Sequence, residues 1–97
     1  MTLSELLDKL DGQDDDATIF VDRSAPLSAD SPALVVNSDT GSPPDGMSYL
    51  LEVYLAKEVL EVWAKWRDGR QPSLMEKSRS VIWYAEHDAY LPVEADH

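Results

Sequence analysis

Cysteine is absent from the 97-residue chain, which excludes a disulfide framework, a thiolate zinc site and a cysteine nucleophile. Bases are scarce. Eight Lys and Arg stand against 19 Asp and Glu, giving a formal charge of −11 and a pI near 4.3. A negative field of this size disfavours direct contact with nucleic-acid phosphates or with an anionic membrane, since both require positive potential. No stretch approaches the roughly 20 apolar residues of a membrane span. Glu5, Asp8 and Lys9 interrupt the N-terminus before a signal-peptide apolar run forms. The expectation is a soluble, cytoplasmic protein. Glycine is also rare, at four residues, while 43% of the chain is hydrophobic, which argues against disorder and for one compact domain spanning residues 1–97 with its own core.

What is present reads as α+β. Thr2 with Glu5 makes a capping-box pattern, and Leu3, Leu6, Leu7 and Leu10 recur at helical spacing, so residues 3–10 form a short amphipathic helix ending near Gly12. Residues 17–21 and 33–36 are apolar runs of strand length. Asn37 to Gly46, with Pro43-Pro44 and several Asn and Asp, is a loop. Residues 47–68 divide: Met47, Tyr49, Leu51 and Val53 alternate as in a strand, whereas from Leu55 the apolar residues gather on one helical face, ended by Gly69. A single helix over 48–68 is the alternative. Ser73 with Glu76 opens a last helix, through His87, with Leu74, Ser78, Val81, Ile82 and Ala85 on its inner side. The sum is a mainly antiparallel sheet of about three strands covered by three helices, with the second and third strands expected as antiparallel neighbours.

Catalytic signatures are missing. No serine stands in a G-x-S-x-G elbow, no glycine-rich phosphate loop occurs, and neither His87 nor His97 has a second ligand at metal spacing. No cofactor and no metal are expected. Asp11, Asp14, Asp15 and Asp16 form an acidic run, yet Gly12 and the three adjacent aspartates break the alternation of a calcium loop, leaving a solvated turn or part of an acidic interaction face. Glu52 is an isolated acid with no second catalytic group beside it, and an enzyme is not expected.

Aromatic residues are more informative. Trp63 and Trp66 fall in the apolar stripe of their helix and read as core. Trp83 falls with Glu76, Ser80 and His87 on the outer side of the last helix, with Tyr84 at its border. That side is covered either by the tail Tyr90–Val93 folding back or by a partner, because exposed Trp and Tyr beside charge are typical of interface centres. Acid concentrates toward the N-terminal half: residues 1–48 carry ten acids and two bases, against nine and six in the rest. Such a surface draws in basic proteins at a salt-dependent rate.

In size, acidity and lack of catalytic signatures, though not in any motif, the chain resembles the small acidic bacterial immunity proteins that neutralise basic nuclease toxins, as in contact-dependent inhibition and bacteriocin systems. The resemblance implies cytosolic residence and tight binding of a toxin domain through carboxylates such as Asp14, Asp15, Asp16 and Asp22 and aromatics such as Trp83 and Tyr84, with Glu76 and His87 on the same helix face. The alternatives are a phage-type inhibitor or nucleic-acid mimic, and a regulatory or scaffold domain without a toxin partner. Self-association is opposed by −11 per chain, so a monomer is the expectation.

Overall fold

Thr2 and Glu5 cap the first helix reciprocally: the Glu5 amide donates to Thr2 Oγ1 at 3.2 Å, and the Thr2 amide donates to Glu5 Oε1 at 3.0 Å. The computed structural model, which describes residues 1–37 and 46–93, places this helix, α1, at Leu3–Asp8. The chain then tightens into a 3-10 turn at Leu10–Gly12, so that Leu10 still reaches the core beside Leu3, Leu6 and Leu7. Each of these leucines is buried, and each burial is worth about 1.5–3 kcal/mol.

Three strands follow: β1 (Thr18–Val21), β2 (Ala33–Val36) and β3 (Ser48–Glu52), in the spatial order β2-β1-β3. Both outer strands run antiparallel to β1. The second and third strands therefore do not pair, contrary to the expectation from their short connection. β1 separates them because Ile19, Phe20 and Val21 are its buried residues, and the centre of a sheet is where an apolar strand loses most water. Between Ile19 and Phe20 the β1–β3 register shifts, and Leu50 is the extra residue. This irregularity allows the consecutive Leu50 and Leu51 both to join the core. Of the expected loop at Asn37–Gly46, residues 38–45 lie outside the described residues, as does the end of the tail, 94–97.

β3 passes directly into α2 (Val53–Lys65), which confirms the strand-then-helix division and starts the helix two residues earlier than its periodicity suggested. The reason is the backbone of the preceding turn. The Val53 amide donates to the Ala17 carbonyl at 2.9 Å and the Tyr54 amide to that of Asp15 at 3.3 Å, so the helix start finds acceptors outside itself. Val53, Ala56, Val59 and Trp63 are its buried residues. Trp66 corrects the sequence reading: it is 50% exposed, because the helix stops at Lys65 and Trp66 forms its C-cap. Asp68 and Gly69 then turn the chain with φ of 58° and 82°.

α3 (Leu74–His87) begins with a second complete capping box, Ser73 with Glu76, and packs against α1, α2 and β3. Two positions differ from the helical-wheel expectation. Ser80, placed outside with Trp83, is 1% exposed, and Leu74, placed inside, is 41% exposed. The cause is packing on two sides: a helix held between α1 and α2 buries more than one stripe, and small Ser78 and Ser80 let neighbours approach. Their hydroxyls donate back to the carbonyls of Leu74 at 3.0 Å and Lys77 at 3.2 Å, so neither hydroxyl is stranded. The result is an α+β fold, with the core between three helices and the sheet face formed by Ile19, Val21, Ala33, Val35 and Leu51.

Candidate functional site

Met75, Arg79 and Trp83 recur every four residues on α3 and therefore line up along one side of it. With Glu76, Ser78, Ile82 and Glu86 they form one wall of an open groove of about 530 Å³; Leu27, Ser28 and Ala29 form the other. Met75, at 69% exposure, is the most exposed large apolar side chain of the described residues, and Trp83 is half-buried.

The second wall is held by its own hydrogen bonds. Ser31 Oγ accepts from the Ser28 amide at 2.9 Å, Ser28 Oγ accepts from the Asp30 amide at 3.2 Å, and the Ser28 carbonyl accepts from the Ser31 amide at 3.1 Å. The Ala29 and Ser31 carbonyls accept from the amides of Ser4 and Leu3, so the turn is fastened to the start of α1. A second cleft of about 430 Å³, lined by Arg23–Leu27 and Glu86, adjoins the groove and shares Leu27 and Glu86 with it.

The predicted site residues divide among four places. Glu76 and Trp83 line the groove, and His87 stacks on Trp83 with ring centroids 4.0 Å apart. Asp22 immediately precedes the adjoining cleft, where its carboxylate accepts from the Ser24 amide at 2.8 Å, and this bond holds it below the usual carboxylate range. Tyr84 lies elsewhere: its ring meets Tyr90 at 5.3 Å, and Tyr90 also packs edge-on against Trp66 at 5.8 Å. Tyr90 thus folds back over Tyr84 and Trp66, and among the described residues the ring contact of Trp83 is with His87. Asp14, Asp15 and Asp16 sit in the turn before β1, at the other end of that strand from Asp22; Asp15 is paired with Lys57 at 2.6 Å, and Asp14 Oδ1 accepts from the Asp16 amide at 3.0 Å.

The carboxylate of Glu76 is occupied by the fold. It accepts from the Ser73 amide and from Arg70, at 3.0 Å each, and the Ser73 bond above all keeps it below the ordinary glutamate range. Glu86 is exposed at the junction of the two clefts and, among the described residues, has no ion-pair partner. Glu52, singled out by its isolation, accepts the Tyr49 hydroxyl at 2.6 Å. Partial desolvation of this half-exposed side chain, and then this bond, push the Tyr49 phenol up to about 12. Among the described residues no group of three or more His, Asp or Glu side chains is placed to hold a metal ion, and no helix is long and apolar enough to cross a membrane.

Sequence reasoning missed most of the groove. Met75 and Arg79 were open to detection, since both precede Trp83 at whole-turn spacing; Leu27, Ser28 and Ala29 were not, because residues 22–32 carry no periodicity. Compared with known proteins, the chain matches no family model, no curated protein and no solved structure.

Proposed function

We propose that this chain is an acidic protein-binding module that docks a basic protein domain over the α3 groove, in the manner of an immunity protein neutralising a nuclease-type toxin. One observation carries the reading: Met75 and Trp83 line an open, mainly apolar groove, on a body that carries −11. Apolar and aromatic groups standing partly in water are where interfaces gain most on desolvation, while the chain's overall excess of acid steers a basic partner in and selects against acidic ones. Asp14–Asp16 and Asp22 lie away from the groove walls, so their part is long-range attraction within about one Debye length, roughly 8 Å at physiological salt.

Affinity capture from the native cell tests this, with wild-type chain and a Met75→Glu, Glu86→Lys double variant as parallel baits. The wild type retains a basic domain that elutes with salt, and the variant loses it. Identical capture by both baits, or capture that ignores salt, would overturn the reading. Replacing Asp14, Asp15, Asp16 and Asp22 by Asn should slow association at low salt with a smaller effect on dissociation.

A further inference from the structure

We infer that the outer side of β3 carries a second contact for a basic protein partner, a seat for an arginine side chain formed by Tyr49, Glu52 and Tyr54. It rests on the basic-partner part of the reading above and not on the α3 groove. The seat originates in the irregularity of β3. In a regular strand, residues three apart such as Tyr49 and Glu52 point to opposite faces. The extra residue Leu50 resets that alternation, so Leu50 and Leu51 both enter the core while Tyr49 and Glu52 meet outside it, where the phenol donates to Glu52 Oε2 at 2.6 Å. Tyr54, in the first turn of α2, is 51% exposed, and its phenol is close enough to add to the upward push on that of Tyr49.

Hydrogen-bond accounting selects the ligand. The Tyr49 proton is spent on Glu52, and Glu52 Oε1 has no partner among the described residues, so this pair has only acceptors left to offer. Two half-exposed phenol rings stand beside it. A guanidinium can lie on an aromatic face and donate in its own plane to a carboxylate at the same time, which a compact, strongly hydrated ammonium does less well. Charge agrees locally. Lys57 is paired with Asp15 at 2.6 Å, Arg23 donates to the Tyr49 carbonyl at 3.4 Å, and neither forms an ion pair with Glu52. The acidic turn Asp14–Asp16 adjoins the seat, because the Tyr54 amide donates to the Asp15 carbonyl at 3.3 Å. The positive end of α2 is offset there, since its first two amides are taken by the Ala17 and Asp15 carbonyls and Glu52 is its N-cap.

The probe is a flexible peptide of alternating glycine and arginine. Two controls of equal length accompany it, one with lysine for arginine and one with citrulline, the neutral isostere. Titration of the arginine peptide into the ¹⁵N-labelled protein should perturb the amides of residues 48–55. It should bind about fivefold or more tightly than the lysine peptide, and the citrulline peptide should bind more weakly still. Glu52→Gln and Tyr54→Ser should each reduce the arginine peptide to the affinity of the lysine peptide, with the amide spectrum elsewhere unchanged, while Met75→Glu should leave it at full affinity. Tyr54 is exposed, so Tyr54→Ser keeps the test decisive even if Glu52→Gln disturbs the helix start. Equal binding of the arginine and lysine peptides, perturbations spread along the acidic surface, or full affinity in Tyr54→Ser would overturn the seat. If the peptide experiments fail while Met75→Glu abolishes capture of the basic domain, the seat falls and the groove stands. If they succeed while Met75→Glu leaves that capture intact, the groove falls and the seat stands.

Discussion

The indole of Trp83 and the imidazole of His87, one helical turn apart on α3, lie with their centroids 4.0 Å apart and their planes tilted by 41°. The exposed imidazole thereby shields one side of a half-buried indole that lines the groove. His87→Ala should change folding stability by no more than about 0.5 kcal/mol, because an exposed position has little burial to lose. It should nonetheless weaken binding of the captured domain. Urea denaturation and a binding titration on the same variant separate the two effects.

Tyr49 predicts behaviour at high pH. Partial desolvation and the Glu52 bond raise its phenol to about 12, above the 10.0 of a free tyrosine. Because the folded value is the higher, this contribution to stability is complete below pH 10 and is lost as the pH rises toward 12. Ultraviolet titration should show late-ionising tyrosine that decreases in Tyr49→Phe, Tyr90 also being raised, and the alkaline loss of thermal stability should be shallower in that variant.

At low pH the capping glutamates decide. Hydrogen bonds from the caps, Thr2 for Glu5 and Ser73 for Glu76, hold both carboxyls below the ordinary 4.5. Their contribution is therefore present above pH 4.5 and is lost as the pH falls through the lowered folded values. Melting temperature followed against pH should fall less steeply in a Glu5→Gln, Glu76→Gln double variant. Ser73→Ala alone should cost about 1 kcal/mol at neutral pH.

Two glycines make a matched pair. A methyl group added at Gly12 or at Gly69 meets no atom within 4 Å, but Gly69 has φ +82° whereas Gly12 has no such conformation. Gly69→Ala should thus cost about 1–2 kcal/mol from the backbone alone. Gly12→Ala should gain about 0.4–1 kcal/mol by restricting the unfolded chain. Chemical denaturation of both variants reads the difference directly.

The described start of the tail is anchored to the body. Leu91 is buried, and Arg67 donates to its carbonyl at 3.5 Å and to that of Pro92 at 3.4 Å. Leu91→Ala should cost about 2–5 kcal/mol, the loss typical of a buried leucine, measurable by the same denaturation.

Local signals were readable in the sequence and long-range ones were not. Both capping boxes, the leucine spacing of α1 and the change from alternation to helical periodicity near Glu52 are properties of adjacent residues, and all stand in the structure. The position of β1 between its partners depends on which strand buries most surface, which no short window contains. Ser80 and Trp66 went astray for related reasons: a wheel supposes one buried stripe and a helix of known end, whereas α3 has neighbours on two sides and α2 ends at Lys65. Of the candidate site, Glu76 and Trp83 on α3 were named from the sequence and their helical neighbours Met75 and Arg79 were within reach of it; the turn opposite is defined by serine hydroxyls bonding to nearby amides, a pattern common to most serine-containing loops.

The direct passage of β3 into α2 makes Glu52 and Val53 a rigid splice, with no slack to absorb a change in chain length. One residue inserted there would spin the whole helix by about 100° about its axis. Trp63, stacked beneath Arg67 and Arg70 at 4.4 and 4.7 Å, would swing out of its seat, and every side chain on α2 would face a different neighbour. Insertions at this splice should therefore be far more damaging than insertions in the turns, a spacing constraint that holds whatever residues occupy the two positions.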